Sequence, residues 1–321
     1  MFQGAVAALA VAAMSGLAPA PAAANVFEGE EWRTAPDGSI REQHFENCAD
    51  QDRAVDAARS AACASLARVS CRMPGERASV DLGGFHVVRW ADGGYRLYTA
   101  AHVLNQYNRL LLGPAAGAHV ERAAYGWSAC SLTLLSAGDD AGPLQGVRLG
   151  EPHFRSDEMR LAVSSRAVAD IFDWPELQDG DIVWMPIEIE SDAETASALL
   201  AAAALEPVVG AEHEAGRLRR SLVCSAGLFA LGRHASRSPS VAGCARSGVR
   251  RGALAGVLLT RAPTVYGMSG GPVVTMWRGQ PRSLCVISSE VVSAGEPVLA
   301  SDARSKRLRY RPGLENRCIP Y

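Results

Sequence analysis

Ser269 stands in the run Gly267-Met268-Ser269-Gly270-Gly271-Pro272, which leads into the strand-like pair Val273-Val274. A serine between glycines can sit on a tight turn whose backbone N–H groups point into one concavity. Such a turn presents a nucleophile and an oxyanion hole together. A glycine-rich turn before a strand is weak evidence by itself, because the hydroxyl needs a base to take its proton. The chain holds seven histidines. His44 lies in an N-terminal polar stretch, and His119, His153, His213 and His234 sit in polar or loop-like surroundings. His86 is inside a strand pattern, where it packs or faces solvent. His102 differs. It closes Leu97-Tyr98-Thr99-Ala100-Ala101-His102, an apolar strand running into small residues that allow other backbone to flank the imidazole closely.

The same serine motif also reads as Gly-x-Ser-x-Gly, the nucleophile elbow of α/β-hydrolases. That fold needs its histidine after the serine, and here the last histidine, His234, precedes Ser269. Instead, Thr99-Ala100-Ala101-His102 followed by Gly267-Met268-Ser269-Gly270-Gly271-Pro272 resembles the chymotrypsin/trypsin family of serine proteases. The resemblance implies an Asp heading an apolar strand between the two motifs. Asp181-Ile182-Val183-Trp184-Met185, after the Asp179-Gly180 turn, is similar to that element. Asp173 and Asp179 are nearby competitors, and the stretch from His102 to Asp181 is longer than usual, which implies extra loop in the first barrel.

Carried onto this chain, the family's roles make Ser269 the nucleophile, His102 the general base and then acid, and Asp181 the residue that fixes the imidazole tautomer. Backbone N–H groups of Gly267 and Ser269 would form the oxyanion hole. Leu284-Cys285-Val286-Ile287-Ser288 resembles the strand that pairs with substrate backbone, which makes Ser288 a substrate-binding candidate. Three departures stand out. Met268 occupies the position where trypsin-like enzymes carry the Asp that receives a new α-ammonium, so no trypsin-type activation switch is expected. Val103 replaces a bridge-forming cysteine often found after the catalytic His. Pro263 stands where trypsin has the Asp that selects Arg and Lys, leaving Glu290 as a strand-end charge close to the expected pocket wall.

These residues need a scaffold, and beyond residue 78 the sequence is short β-forming runs separated by Gly, Asp and Pro. Candidate strands are Phe85–Trp90, Tyr95–Thr99, Arg109–Leu112, Leu144–Leu149, Met159–Val163, Ile182–Ile189, Leu222–Leu231, Ala255–Thr260, Pro272–Trp277 and Leu284–Val292. Asp92-Gly93-Gly94 marks a hairpin between two of them. The expected architecture is all-β: two six-stranded antiparallel β-barrels, chymotrypsin-like, over 78–190 and 206–321. A linker helix over 191–205 is expected to join them, opened by a capping box of Ser191 and Glu194. Ahead of the barrels, Asn47 to Ser70 carries apolar residues at helical spacing (Ala54, Val55, Ala58, Ala62, Leu66, Val69), so 25–77 reads as a partly helical extension or prosegment. Met73-Pro74-Gly75 ends it.

Composition fits this reading. The chain has 321 residues, 48% apolar and 21% charged, enough for a sizeable core in two domains. With 34 acidic and 32 basic residues the net charge is −2, which gives no pull toward nucleic acid. The basic run Arg304 to Arg311 alternates with Leu308 and Tyr310 and reads as one face of a strand or turn. Residues 1–24 look like a signal peptide: an apolar run from Ala5 to Ala18, then Ala22-Ala23-Ala24 before Asn25. No positive side chain precedes that run, and no later segment is long enough for a membrane span.

All eight cysteines lie beyond that point, an even number that suggests disulfides in an oxidising compartment. Cys224–Cys244 and a pair within Cys48, Cys63 and Cys71 are the expected bridges. No Cys/His spacing suits zinc, so neither metal nor cofactor is expected. The sum is a secreted or periplasmic serine endopeptidase, monomeric, acting on polypeptides. A non-catalytic protease-like binding module and an esterase using the same three residues are the alternatives.

Overall fold

The computed structural model describes residues 45–48, 57–72, 79–104, 127, 130–137, 142–165, 179–211, 215–228, 240–246, 249–252, 256–260, 262, 264, 268–291 and 315–321. It is an all-β protein of two curled sheets with few helices. In chain order the strands are β1 Phe45–Asn47, β2 Leu66–Arg72, β3 Ser79–Arg89, β4 Tyr95–Thr99, β5 Cys130–Leu134, β6 Val147–Leu149, β7 His153–Phe154 and β8 Val183–Ile189. There follow β9 Glu206–Pro207, β10 Leu222–Leu228, β11 Ser240–Arg246, β12 Arg250–Arg251, β13 Leu258–Thr260, β14 Pro272–Trp277, β15 Gln280–Val291 and β16 Glu315–Pro320. The helices are α1 Ala57–Ala64, α2 Asp157–Ser165 and α3 Glu194–Ala203.

The first sheet runs β5-β2-β3-β4-β8-β6, with β7 pairing β8. Its pairings are antiparallel, and the Leu144 N–H donates to the Leu132 carbonyl (2.8 Å), drawing its two edges together. The second sheet runs β1-β11-β10-β14-β15-β16-β13-β12, with β9 lying parallel to β15. Among the described residues six strands make the path of the first sheet, one of them β2 from ahead of residue 78, and β7 is a seventh beside it. The second is longer because β1 and the two-residue β12 extend its ends.

Each sheet encloses its own core: Phe85, Leu97, Leu132 and Met185 in the first, Val223, Leu258, Val273 and Leu284 in the second. A third cluster lies where the sheets meet, joining Val88, Tyr98 and Ile182 of the first to Val257, Leu259, Val286 and Ile319 of the second. Burying a side chain of this size is worth roughly 1.5–3 kcal/mol, so this seam holds the two sheets in one arrangement.

Three elements differ from expectation. The helix read over Asn47–Ser70 ends at Ala64, where Ser65 N–H donates to Ala61 O and Ser65 Oγ to Ala62 O. Leu66–Arg72 is instead strand β2, with Ala67, Val69 and Cys71 buried at period two. Leu66 and Val69 stand at a helical spacing but face different clusters in the strand, Leu66 toward α1 and Val69 into the first core, and pairing with β3 and β5 decides for the strand. A boundary at residue 78 therefore cuts the first sheet, since β2 lies between β5 and β3. Helix α1 likewise packs Ala58 and Ala62 against Cys224, Ala226, Ala242 and Val274 of the second sheet.

Met159–Val163 is not a strand but part of α2. Ser156 Oγ accepts from the Met159 N–H (3.1 Å), acidic Asp157 and Glu158 occupy the first turn, and Met159, Ala162 and Val163 are buried at helical spacing. Helix α3 starts at Glu194 with Ala193 as N-cap and no side-chain cap, so the Ser191/Glu194 capping box does not form. The Ala193 N–H donates to Glu190 O (3.0 Å), and this turn spaces Ser191 away from the first helical residue. After α3, Leu205 exchanges backbone hydrogen bonds with Val87 and Arg89 before the chain enters β9 beside β15.

Four disulfides tie the chain: Cys48–Cys63, Cys71–Cys130, Cys224–Cys244 and Cys285–Cys318. Both expected pairings are among them. Cys71–Cys130 and Cys224–Cys244 each join directly paired neighbouring strands.

Candidate active site

Strands β4 and β8 are antiparallel neighbours with Thr99 opposite Val183. The chain leaving Thr99 and the chain arriving at Val183 therefore lie side by side at one end of the first sheet. His102 comes three residues after Thr99 and Asp181 two before Val183, so the register alone brings them together. Ala100 and Ala101 are fully buried, and the Val103 N–H donates to Ala100 O (3.0 Å), folding the chain into a short turn. Thr99 Oγ1 donates to Gly84 O (2.7 Å), pinning the end of β4 to β3.

Asp181 and His102 are 1% and 5% exposed. One carboxylate oxygen, Oδ1, accepts the His102 backbone N–H at 2.9 Å, and Oδ2 faces His102 Nδ1 at 2.8 Å. A carboxylate accepts, so the ring carries its proton on Nδ1 and its lone pair on Nε2. Asp179, one competitor, is held by its backbone, whose carbonyl accepts from Arg155 (3.0 Å). Arg155 also donates to Pro320 O, which ties the turn before Asp181 to β16. Asp173, the other competitor, lies outside the described residues.

The second sheet supplies the serines. Pairing of β15 with β16 shifts register between Ile287 and Ser289, leaving Ser288 at a bulge, a device that re-aims a side chain. Ser288 Oγ donates across the seam to Asp181 Oδ2 at 2.5 Å, while its backbone carbonyl accepts from Ser269 Oγ at 3.3 Å. Ser288 thus touches both Asp181 and Ser269. The serine turn is closed by Gly271 N–H to Met268 O (2.9 Å), with Gly270 at φ +86°, as a type II turn requires. Gly270 N–H donates to Ile287 O and Ile287 N–H to Gly271 O, both at 2.8 Å, fastening the turn to β15. Met268 is fully buried in the second core. An apolar side chain there offers no ion pair to an α-ammonium.

The described residues thus bring His102, Asp181, Ser288 and Ser269 into one cluster built from both sheets. Gly267, the other expected oxyanion donor, lies outside them, as do Pro263, the Glu290 side chain, the run Arg304 to Arg311, the segment Arg109–Leu112 and residues 1–44. So do His44, His119, His213 and His234. His153 is exposed and stacked on Trp184 at 4.1 Å.

Sequence reasoning passed over His86. It is completely buried, with Nδ1 2.9 Å from Gly270 O and Nε2 2.6 Å from the Tyr321 hydroxyl. Its neighbours Phe85, Val87 and Val88 are buried too. That unbroken apolar run was the available signal, because a strand buried on both faces leaves a histidine no route to solvent.

Burial lowers the His86 pKa to about 4, against a partial upward pull from the Gly270 carbonyl. The unfolded chain takes up this proton near 6.5 and the folded chain near 4. The stabilisation is therefore full above pH 6.5 and is lost as pH falls toward 4, by up to about 3 kcal/mol. Urea midpoints at pH 7 and pH 4.5 should separate more for the wild type than for His86→Gln, which lacks this titration. Equal pH slopes would rule out a buried neutral His86. Tyr98, Gly270 and Tyr321 face the ring, and Ser283 meets the Tyr321 hydroxyl behind it.

No protein-family model and no curated protein matches the sequence. Solved structures do. A Glu endopeptidase in complex with MPD is 10% identical with a TM-score of 0.42, covering 88% of this chain and 93% of that one. The thermostable serine protease AL20 from an extremophilic microorganism is 10% identical with a TM-score of 0.41, covering 81% and 93%. The protease Anisep from Arthrobacter nicotinovorans is 10% identical with a TM-score of 0.38, covering 80% and 90%.

Proposed function

We propose that this protein is an exported serine endopeptidase that hydrolyses peptide bonds through Ser269, His102 and Asp181. The observation that carries the reading is the buried Asp181 carboxylate holding His102 by both its backbone N–H and Nδ1, beside a serine presented on a glycine turn. Ser269 Oγ swings from Ser288 O to the imidazole and attacks the scissile carbonyl as its proton passes to Nε2. The oxyanion is met by the N–H groups of Gly267 and Ser269. Collapse expels the amine, which takes the proton from His102. Water then repeats the sequence on the acyl-enzyme and releases the acid.

Ser288 steadies Asp181 through its hydroxyl, which leaves its backbone carbonyl as the group to receive a substrate N–H. Four disulfides and the Ala-rich leader pattern support export to a secreted or periplasmic location. The proposed chemistry draws on side chains and backbone of this chain and takes polypeptides as substrate. Among the described residues no helix is long and apolar enough to cross a membrane.

Oxidised protein incubated with a fluorophosphonate should gain one adduct by intact mass, mapped to Ser269 and missing from Ser269→Ala. An unlabelled folded protein would instead make the cluster a non-catalytic binding site. If labelling occurs but simple esters turn over and peptides do not, the protein is an esterase.

A further inference from the structure

The Gly270–Gly271 peptide is gripped from both sides. Its N–H closes the turn onto Met268 O, and its carbonyl, that of Gly270, accepts from His86 on β3 of the other sheet. Beyond His86 the polar chain continues: Nε2 meets the Tyr321 hydroxyl at 2.6 Å, and that oxygen lies 2.5 Å from Ser283 Oγ on β15. His86 and Ser283 are fully buried. The Tyr321 ring stands edge-on to Tyr98 at 4.8 Å, which fixes where its hydroxyl points.

A carbonyl oxygen can only accept, and this sets every proton in the chain. Nδ1 of His86 must carry hydrogen, so in the neutral ring Nε2 must accept. Tyr321 therefore donates to Nε2, and its oxygen is left to accept from Ser283. Two supporting facts agree with a neutral ring and an un-ionised phenol. Burial holds His86 near pKa 4, and burial raises Tyr321 well above the ordinary phenol value.

We propose that Ser283, Tyr321 and His86 form a one-way hydrogen-bond chain that positions the Ser269 turn through the Gly270 carbonyl, with Tyr321 as the residue that satisfies Nε2 and holds the ring in place. The proposal rests on Ser269 being the nucleophile of the function given above. These three are positioning residues. Without the Tyr321 donor, Nε2 is a buried acceptor with no proton to accept, and among the described hydrogen bonds the ring is held by Gly270 O alone. An imidazole held at one nitrogen is free to tilt, which loosens the grip of Nδ1 on Gly270 O and so the hold of the first sheet on the type II turn.

The test uses oxidised full-length protein and two readouts. Long-range ¹H–¹⁵N NMR of the wild type should show His86 protonated at Nδ1 and not at Nε2. Tyr321→Phe, which keeps the ring, should keep Nδ1 protonated while its Nε2 resonance moves downfield, as that of an acceptor without a donor does. Its saturating rate of fluorophosphonate labelling at Ser269 should fall by about 10- to 100-fold, with little change in the half-saturating concentration. Ser283→Ala leaves Tyr321 able to donate, so it should keep the wild-type Nε2 resonance and lose much less rate.

An Nε2-protonated His86 in the wild type overturns the chain without any variant having to fold. So does a Tyr321→Phe protein that labels at the wild-type rate. A wild type that does not label at all refutes Ser269 as an activated nucleophile, and the tautomer still decides the hydrogen-bond chain.

Discussion

Asp181→Asn is expected to lower kcat by about 10⁴-fold while the protein stays folded. The reason is the direction of three hydrogen bonds. Asp181 accepts from the His102 backbone N–H, from His102 Nδ1 and from the Ser288 hydroxyl. An asparagine offers one acceptor and two donors. The His102 backbone N–H cannot reverse, so the amide oxygen goes to it and the amide NH₂ turns toward Nδ1 and Ser288 Oγ. Nδ1 must then accept, the ring proton moves to Nε2, and Nε2 can no longer take a proton from Ser269.

Ser288 can rotate its hydroxyl to accept, so the buried amide keeps partners and stability falls little. Hydrolysis of a chromogenic ester, together with a melting curve, checks both halves of the expectation. Activity within tenfold of the wild type would remove Asp181 from the role. A collapsed melting temperature would mean that the carboxylate is chiefly a structural tie between the sheets.

The parts of this site that were legible in the sequence are those that strand register converts directly into proximity. His102 and Asp181 flank the paired positions Thr99 and Val183 of β4 and β8, so an apolar strand ending in small residues and a His, and another headed by Asp, were readable as a pair once their order suggested a family. The glycines around Ser269 were readable because a turn with positive φ needs them. Leu66 and Val69 read as helical because apolar residues on both faces of β2 can also stand three apart, and only the pairing of β2 with β3 and β5 separates the two. Met159 to Val163 was misread although Ser156, Asp157 and Glu158 spelled a helix start.

Tyr321 could not be found at all. Its partner His86 lies 235 residues away, and neither residue type nor local pattern encodes a contact that arises where two sheets meet. The same holds for the Ser288 bulge, which is visible only as a slip against β16.

The meeting of the sheets is what Gly270→Ala tests, and this variant should be the most destabilised of those described here. Gly270 and Gly93 share nearly the same left-handed backbone, at φ +86° and +83°. An alanine at either position carries a left-handed cost of about 1–2 kcal/mol. Their surroundings are opposite. A Cβ on Gly93 would meet nothing within 4 Å, whereas one on Gly270 would lie 1.9 Å from Gly84 O and 2.2 Å from Thr99 Oγ1. Neither obstacle is the free end of a flexible side chain. Gly84 O is backbone of β3, and Thr99 Oγ1 is held on that same oxygen.

Relief therefore requires moving the serine turn away from the first sheet, which breaks the Gly270 carbonyl's bond to His86 and opens the seam. Strain of this kind belongs among the rare losses above about 4 kcal/mol, a large share of the roughly 5–15 kcal/mol that holds a domain folded. Urea midpoints should show Gly93→Ala slightly weakened and Gly270→Ala unfolded or far weaker, in assays that need no catalysis. Equal losses in the two variants would mean that the serine turn does not rest on β3 and β4. The cluster joining Ser269 to His102 would then have no common foundation.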